Sequence, residues 1–213
     1  MVQKPEAKRR GRPPAYRREE ALGRALERFW TAGYAATSLD EISRTTGMNR
    51  PSLYGAFGDK RALFREALGH YRRMGGGVMA AIAARGAPVR VTLRDAYRAA
   101  LDLYFSGQDG ARGCFLTGAA LAGAVEDPEM GAELLAGLHD LDRGFAGLFR
   151  IARDRGEIPA SSDPAALAFL ASALLHTLSV RARAGTPRAE LEGAVESALS
   201  AILGEEREGT AAP

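Results

Sequence analysis

A chain of 213 residues, 46% apolar and 26% charged, has the composition of a globular protein and room for one sizeable domain or two small ones. The net charge of +3 conceals an asymmetry. Residues 1–61 hold 13 Lys and Arg against 7 Asp and Glu, and residues 62–213 hold 16 against 19, so a polyanion would meet the first third. The apolar runs read as too short to span a bilayer and the start of the chain has no apolar leader, so no membrane partner is expected. The single cysteine, Cys114, excludes an intrachain disulfide and points to a reducing cytoplasm.

Read from the N-terminus, residues 1–15 form a basic tail expected to be disordered. Within it, Arg10 and Arg12 flank a glycine ahead of two prolines, the chemistry of an arm that enters a narrow minor groove. A merely solubilising tail is an equal alternative. Leu22, Leu26, Phe29 and Trp30 then recur at helical spacing up to Gly33.

The stretch 37–60 carries denser signals. Ser38-Leu39-Asp40-Glu41 fits a capping box, which predicts a short helix from Leu39 to about Thr46 with Leu39 and Ile42 inward. Gly47 can close it in a left-handed conformation. Asn49 then caps a second short helix that tolerates Pro51 in its first turn and ends at Gly58. Leu53 and Phe57 point inward, so Arg50, Ser52 and Tyr54 point elsewhere. Asp59 caps a further helix beginning at Lys60. Two short helices joined by a tight glycine turn make a helix-turn-helix, whose second helix offers its N-terminal end to the DNA major groove. Arginine there can pair with guanine O6 and N7, and Ser38, Tyr54 and Lys60 suit phosphate oxygens.

The run ALERFWTAGYAATSLDEISRTTGMNRPSLYGAFGDKRALFREAL resembles the N-terminal domain of the TetR (tetracycline-repressor-like) family. The resemblance rests on the Ala32-Gly33-Tyr34 turn, the Thr37-Ser38 pair, the Leu53-Tyr54-Gly55-Ala56-Phe57 segment, Lys60 and Leu63-Phe64. It covers roughly residues 17–70, and Pro51 departs from the small residue common in relatives. It implies DNA contact by Thr37, Ser38, Asn49, Arg50, Pro51, Ser52, Tyr54 and Lys60; Arg10 and Arg12 of the tail lie outside it and are DNA-binding candidates on their own chemistry. It also implies that helices near 163–184 and 187–203 pair with their twins in a homodimer.

Beyond residue 62 the pattern stays helical. Leu63, Phe64, Ala67, Leu68 and Tyr71 make one stripe, followed by Gly75, Gly76 and Gly77, which predict a kink or break because each glycine costs about 1 kcal/mol against alanine in a helix. Further stripes run through Leu93–Phe105, Leu134–Leu148, Leu167–Leu178 and Leu191–Ile202, two of them preceded by the helix-starting pairs Asp127-Pro128 and Asp163-Pro164. Aromatics on alanine-rich helices can line a cavity, which nominates Tyr97, Leu101, Tyr104, Phe115, Phe145, Phe149 and His176 as an effector pocket; Phe169 belongs to the same group of aromatics, and ordinary core packing is the alternative. Cys114 joins the pocket set, either as a reactive thiol at a helix mouth or as a small buried hydrophobe. The histidines His70, His139 and His176 are isolated. No metal-ligand spacing, phosphate-binding fingerprint or catalytic constellation is present, so neither metal, cofactor nor enzymatic activity is expected.

These signals predict an all-α protein of about nine helices. A basic tail (1–15) leads into a three-helix helix-turn-helix domain (16–62), followed by a helical bundle for ligand binding and dimerisation (63–204) and a disordered end (205–213). The function expected is a cytoplasmic, ligand-responsive regulator, a repressor released from a palindromic operator by a small molecule. The alternative is a helical ligand-binding or enzyme-like protein that carries a helix-turn-helix.

Overall fold

A computed structural model describes residues 14–108, 110–124 and 127–204. Among these, every regular element is a helix. The order is α1 (Pro14–Ala36), α2 (Leu39–Thr46), α3 (Arg50–Phe57), α4 (Lys60–Ala83) and α5 (Val89–Tyr104). A π-helical turn (Leu116–Ala120) then runs into α6 (Leu121–Ala124), followed by α7 (Pro128–Asp154), α8 (Pro164–Arg183) and α9 (Arg188–Leu203). Helix α1 reaches back to Pro14, inside the segment expected to be a tail, because proline's fixed φ and missing N–H suit a first helical turn. At its other end Gly33 takes φ 81° and breaks the helix.

Helices α1 and α4 pack against each other, and the short α2 and α3 are braced across them. Leu22, Phe29, Ile42, Leu53, Phe57 and Phe64 are buried there. The same core continues into the C-terminal bundle. Phe64 meets Phe29 at 5.1 Å between ring centroids and Phe115 at 5.5 Å, while Trp30 meets Tyr71 at 4.9 Å. The boundary expected between residues 62 and 63 falls inside the first turn of α4, which supplies side chains to both regions.

The break expected at Gly75, Gly76 and Gly77 does not occur, for α4 runs through all three. Burial of Leu63, Phe64, Ala67 and Leu68 on one side of the glycines and Ile82 on the other anchors the helix at both ends. Arg72, just before them, pairs with Glu133 and Asp140 of α7. Tertiary anchoring thus outweighs the local preference.

Helix α8 also departs from expectation. Its 20 residues include an 18-residue window of mean hydropathy 1.5, so by length and composition it matches a bilayer-crossing helix. The run was easy to miss because alanine carries much of it. Only 39% of that window is buried within the chain. The inner face, including Ala171, Leu175, Leu178 and Ala182, packs on α7 and α9, whereas Leu170 and Val180 are exposed and Phe169, expected inside, is 68% exposed.

Candidate nucleic-acid interface

The helix-turn-helix is assembled by caps that the local sequence dictates. Ser38 Oγ accepts the Glu41 N–H at 3.2 Å, and Glu41 Oε2 accepts the Ser38 N–H at 2.8 Å, completing the capping box. The Ser38 backbone N–H, and after it the Ser38 hydroxyl, which also donates to Oε2 at 3.2 Å, hold the Glu41 carboxyl below its ordinary range. Gly47 closes α2 at φ 70°, donating its N–H to Ser43 O. Asn49 Oδ1 accepts the Ser52 N–H at 2.8 Å and so starts α3, with Pro51 in the first turn.

Basic residues from other helices fix this unit in place. Arg18 of α1 donates to the Ala56 carbonyl near the end of α3 and forks onto Glu66 of α4 at 2.5 and 2.8 Å, while its guanidinium lies 4.6 Å from the Phe57 ring. Arg28 pairs with Glu41 at 2.6 Å, and Arg24 donates to the Thr45 carbonyl at 3.1 Å, near the C-terminus of α2. The face of α3 away from these braces carries exposed Arg50, Pro51, Ser52 and Tyr54, the last 68% exposed.

Several candidate residues stand differently from the simple expectation. Thr37 is buried, and its hydroxyl donates to Gly33 O at 2.7 Å, so its side chain secures the α1–α2 corner rather than facing a phosphate. Ser38 is exposed but its hydroxyl is engaged in the cap. Lys60 stands 4.4 Å over the Tyr34 ring, a cation–π contact. Partial burial lowers its pKa, with Glu41 opposing. Arg50 is outward, as expected, yet it forks onto Asp40 of α2, with Nε at 2.6 Å from Oδ1 and Nη2 on Oδ2. Arg44 on α2 is a further exposed cation on this part of the chain that the sequence reading did not single out. Its place on the outer side of α2 was available from Leu39 and Ile42 facing inward. Arg10 and Arg12 lie outside the described residues.

The candidate effector residues come together, but as packed core. Tyr97, Leu101, Tyr104, Phe115, Phe145 and Phe149 are all buried; Tyr97 donates to Ala171 O at 3.1 Å and stacks on Phe145 at 6.2 Å. Burial raises the pKa of Tyr97 and Tyr104. Cys114 precedes a helix, as read, yet it is buried: Tyr71 OH donates to its Sγ at 3.2 Å and its own N–H donates to Ser179 Oγ at 2.7 Å. The solvent-facing helix mouth is therefore replaced by an enclosed thiol. His176 is half-buried, with Nδ1 buried and unpaired among the described residues; burial lowers its pKa while Asp142 opposes. A groove of about 210 Å3 lies instead between α5 and α9, lined by Arg94, Arg98, Leu101, Glu192, Val195 and Glu196. Among the described residues no cluster of His, Cys, Asp and Glu is placed to hold a metal.

Helix α3, presented outward on a braced three-helix unit and joined through α4 to a helical bundle, defines a helix-turn-helix transcriptional regulator. Residues 21–67 match the family model of bacterial regulatory proteins of the tetR family, and residues 88–198 match the tetracyclin repressor-like C-terminal domain. The chain belongs to the tetR family. It is similar to the HTH-type transcriptional repressor ComR of Escherichia coli (strain K12), with 33% identity over 180 residues, 84% of this chain and 85% of the relative. It is 39% identical over 71 residues to the HTH-type transcriptional repressor BdcR of the same organism, a match to 33% of this chain and 36% of the relative. Among solved structures it resembles a cysteine-substituted form of the TetR family regulator CifR in complex with 26-base-pair operator DNA, at 34% identity and TM-score 0.79, covering 89% of this chain and 99% of that one.

Proposed function

We propose that this regulator is a repressor that grips a palindromic operator as a two-fold homodimer and is released by a small molecule. The observation that carries this reading is the N-terminal end of α3, where Arg50, Ser52 and Tyr54 project from a helix whose opposite face is locked by Leu53, Phe57 and Arg18. Ser38, Asn49, Pro51 and Lys60 border that end and complete the DNA surface, with Arg10 and Arg12 as a minor-groove arm. Repressors similar in sequence, and a 34% identical structure on operator DNA, support it. The exposed apolar side chains Phe169, Leu170 and Val180 of α8 support pairing of α8 and α9 with their twins, which accounts for a helix of bilayer-like composition without a bilayer. Two recognition helices must then sit about 34 Å apart, or a multiple of it, to enter successive major grooves.

The effector acts on residues 63–204. A ligand that reaches the aromatic cluster around Tyr97 and Phe145 must displace packed side chains, and α4 carries that displacement to α3. A coupling of about 1–3 kcal/mol changes DNA affinity by roughly 5–150-fold. The reading is of a non-enzymatic protein acting in the cytoplasm, where bacterial DNA lies.

The test starts from duplexes selected by the protein out of a random library, followed by anisotropy titrations against salt. Arg50→Ala should weaken the selected duplex far more than a random one. Lys60→Ala should weaken both alike and flatten the salt slope by about one unit per subunit. Equal losses on both duplexes for Arg50→Ala would remove Arg50 from base readout.

A further inference from the structure

We infer that Asp40, on the first turn of α2, is a positioning residue for base recognition: its carboxylate holds the Arg50 guanidinium edge-on, so that the remaining edge is aimed at one base pair. This rests on the DNA-binding reading above. The observation is a fork across the helix-turn-helix. Arg50 Nε donates to Asp40 Oδ1 at 2.6 Å and Nη2 donates to Oδ2, between residues ten apart in sequence on two different helices. Both side chains are exposed, at 61% for Arg50 and 64% for Asp40, so the pair is not a product of burial.

The donor count makes the geometry useful. A guanidinium has five N–H groups. The edge formed by Nε and Nη2 spends two of them on the carboxylate. Both N–H groups of Nη1 and the second of Nη2 remain, and an Nη1–Nη2 edge is the fork that matches guanine O6 and N7. One side chain can therefore be held by protein on one edge and read a base on the other.

A carboxylate on a DNA-facing surface otherwise works against binding, since it repels phosphate. A first-turn acid does favour the α2 dipole, but that role asks nothing of Arg50. Two consequences follow from the fork. An unheld arginine samples many rotamers and must be ordered on binding, whereas Asp40 orders it beforehand. An unheld arginine is also free to swing onto a phosphate, where it adds affinity without sequence information. Asp40 offsets that charge and so trades non-specific attraction for selectivity.

The experiment uses the full-length protein, a duplex selected from a random library, single-base-pair variants of that duplex, and a random-sequence duplex. In Asp40→Asn, discrimination at one base pair per half-site should fall by up to about 5-fold, because Arg50 can still reach the base and only its ordering by one exposed ion pair is lost. Binding to the random duplex should tighten, and the salt slope should steepen by about one unit per subunit, because Arg50 becomes available to phosphate. In the Arg50→Ala background Asp40→Asn should leave discrimination unchanged, since Asp40 acts through Arg50. The inference is overturned if Asp40→Asn keeps the discrimination of the parent. It is equally overturned if all duplexes tighten by one common factor, which would make Asp40 a simple electrostatic brake. A parent protein that selects no sequence at all would instead sink the DNA-binding reading, and the inference with it.

Discussion

Replacing Gly75, Gly76 and Gly77 by alanine should stabilise the protein. The three glycines sit inside the continuous helix α4 and are exposed. A Cβ built at any of them finds open space, with no atom within 4 Å, and none has a positive φ. No steric term therefore opposes the helical preference of alanine, which is worth about 0.8–1.0 kcal/mol per residue over glycine. Three substitutions give about 2–3 kcal/mol, part of it from a less flexible unfolded chain. For a chain of this size that corresponds to a rise in Tm of roughly 5–10 °C. Thermal and urea unfolding followed by circular dichroism at fixed protein concentration measure it, and the helical signal should be maintained. An unchanged or lowered stability would refute the reasoning. It would mean either that α4 does not run through the glycines in solution or that another surface covers them.

The other expectations concern titration, assembly and the thiol. Burial lowers the pKa of His176 in the folded state below its value of about 6.5 in the unfolded chain. Below that value the unfolded chain binds the proton first, so stability contributed by neutral His176 is present above about pH 6.5 and declines as pH falls towards the folded pKa. His176→Gln should flatten this part of the pH profile of urea unfolding, and an unaltered profile would show that His176 is solvated. Phe169→Glu, placed on the exposed apolar face of α8, should convert a dimer into a monomer at micromolar concentration in sedimentation equilibrium; an intact dimer would place the interface elsewhere. Cys114, buried under Tyr71, should react with iodoacetamide only as fast as the protein opens, and labelling at the rate of a free thiol would contradict its enclosure.

Local chemistry made part of this molecule legible in advance. The caps Ser38, Asn49, Asp59, Asp127 and Asp163 could be read because each is decided within three residues of chain, and each side chain accepts the backbone N–H expected of it. Inward stripes were legible for the same reason, since helical spacing alone sets them. The site's finer organisation depends on partners far away in sequence. The brace by Arg18 joins residues 38 and 48 positions apart, and nothing near Arg50 announces that Asp40 will hold it. Thr37 is a local exception, for its hydroxyl donates to a carbonyl only four residues back. Spacing also cannot distinguish a lined cavity from a filled core. Tyr97, Phe145 and Phe149 share an interior in either case, and only the fit of facing side chains decides that they close it.

The contacts that tie the DNA-binding helices to the bundle differ in what a ligand would have to overcome. On one side is a ladder of ion pairs from α4 to α7 and its cap: Arg61 with the N-cap Asp127 at 2.6 Å, Arg65 with Glu129 at 2.6 Å and Arg72 with Glu133 at 2.9 Å. Arg61 and Arg65 are 44% and 42% exposed, so their pairs contribute about 0–1 kcal/mol each and weaken with salt. On the other side is a latch on α1. The Trp30 Nε1–H donates to Gly113 O at 3.2 Å in a buried bond, and the Arg112 guanidinium lies 3.7 Å from the Trp30 ring while pairing with Glu27 at 2.5 Å. Leaving a buried donor or acceptor unpaired costs about 1–3 kcal/mol, the same size as a whole allosteric coupling. Residues 112–115 also carry the Cys114 N–H bond to Ser179 of α8 and the Phe115 ring that meets Phe64 of α4. A shift of this short segment therefore reaches α1, α4 and α8 at once. The exposed rungs at Arg61 and Arg65 can exchange partners, whereas the latch is buried, and that makes it the contact whose state the recognition helix should follow.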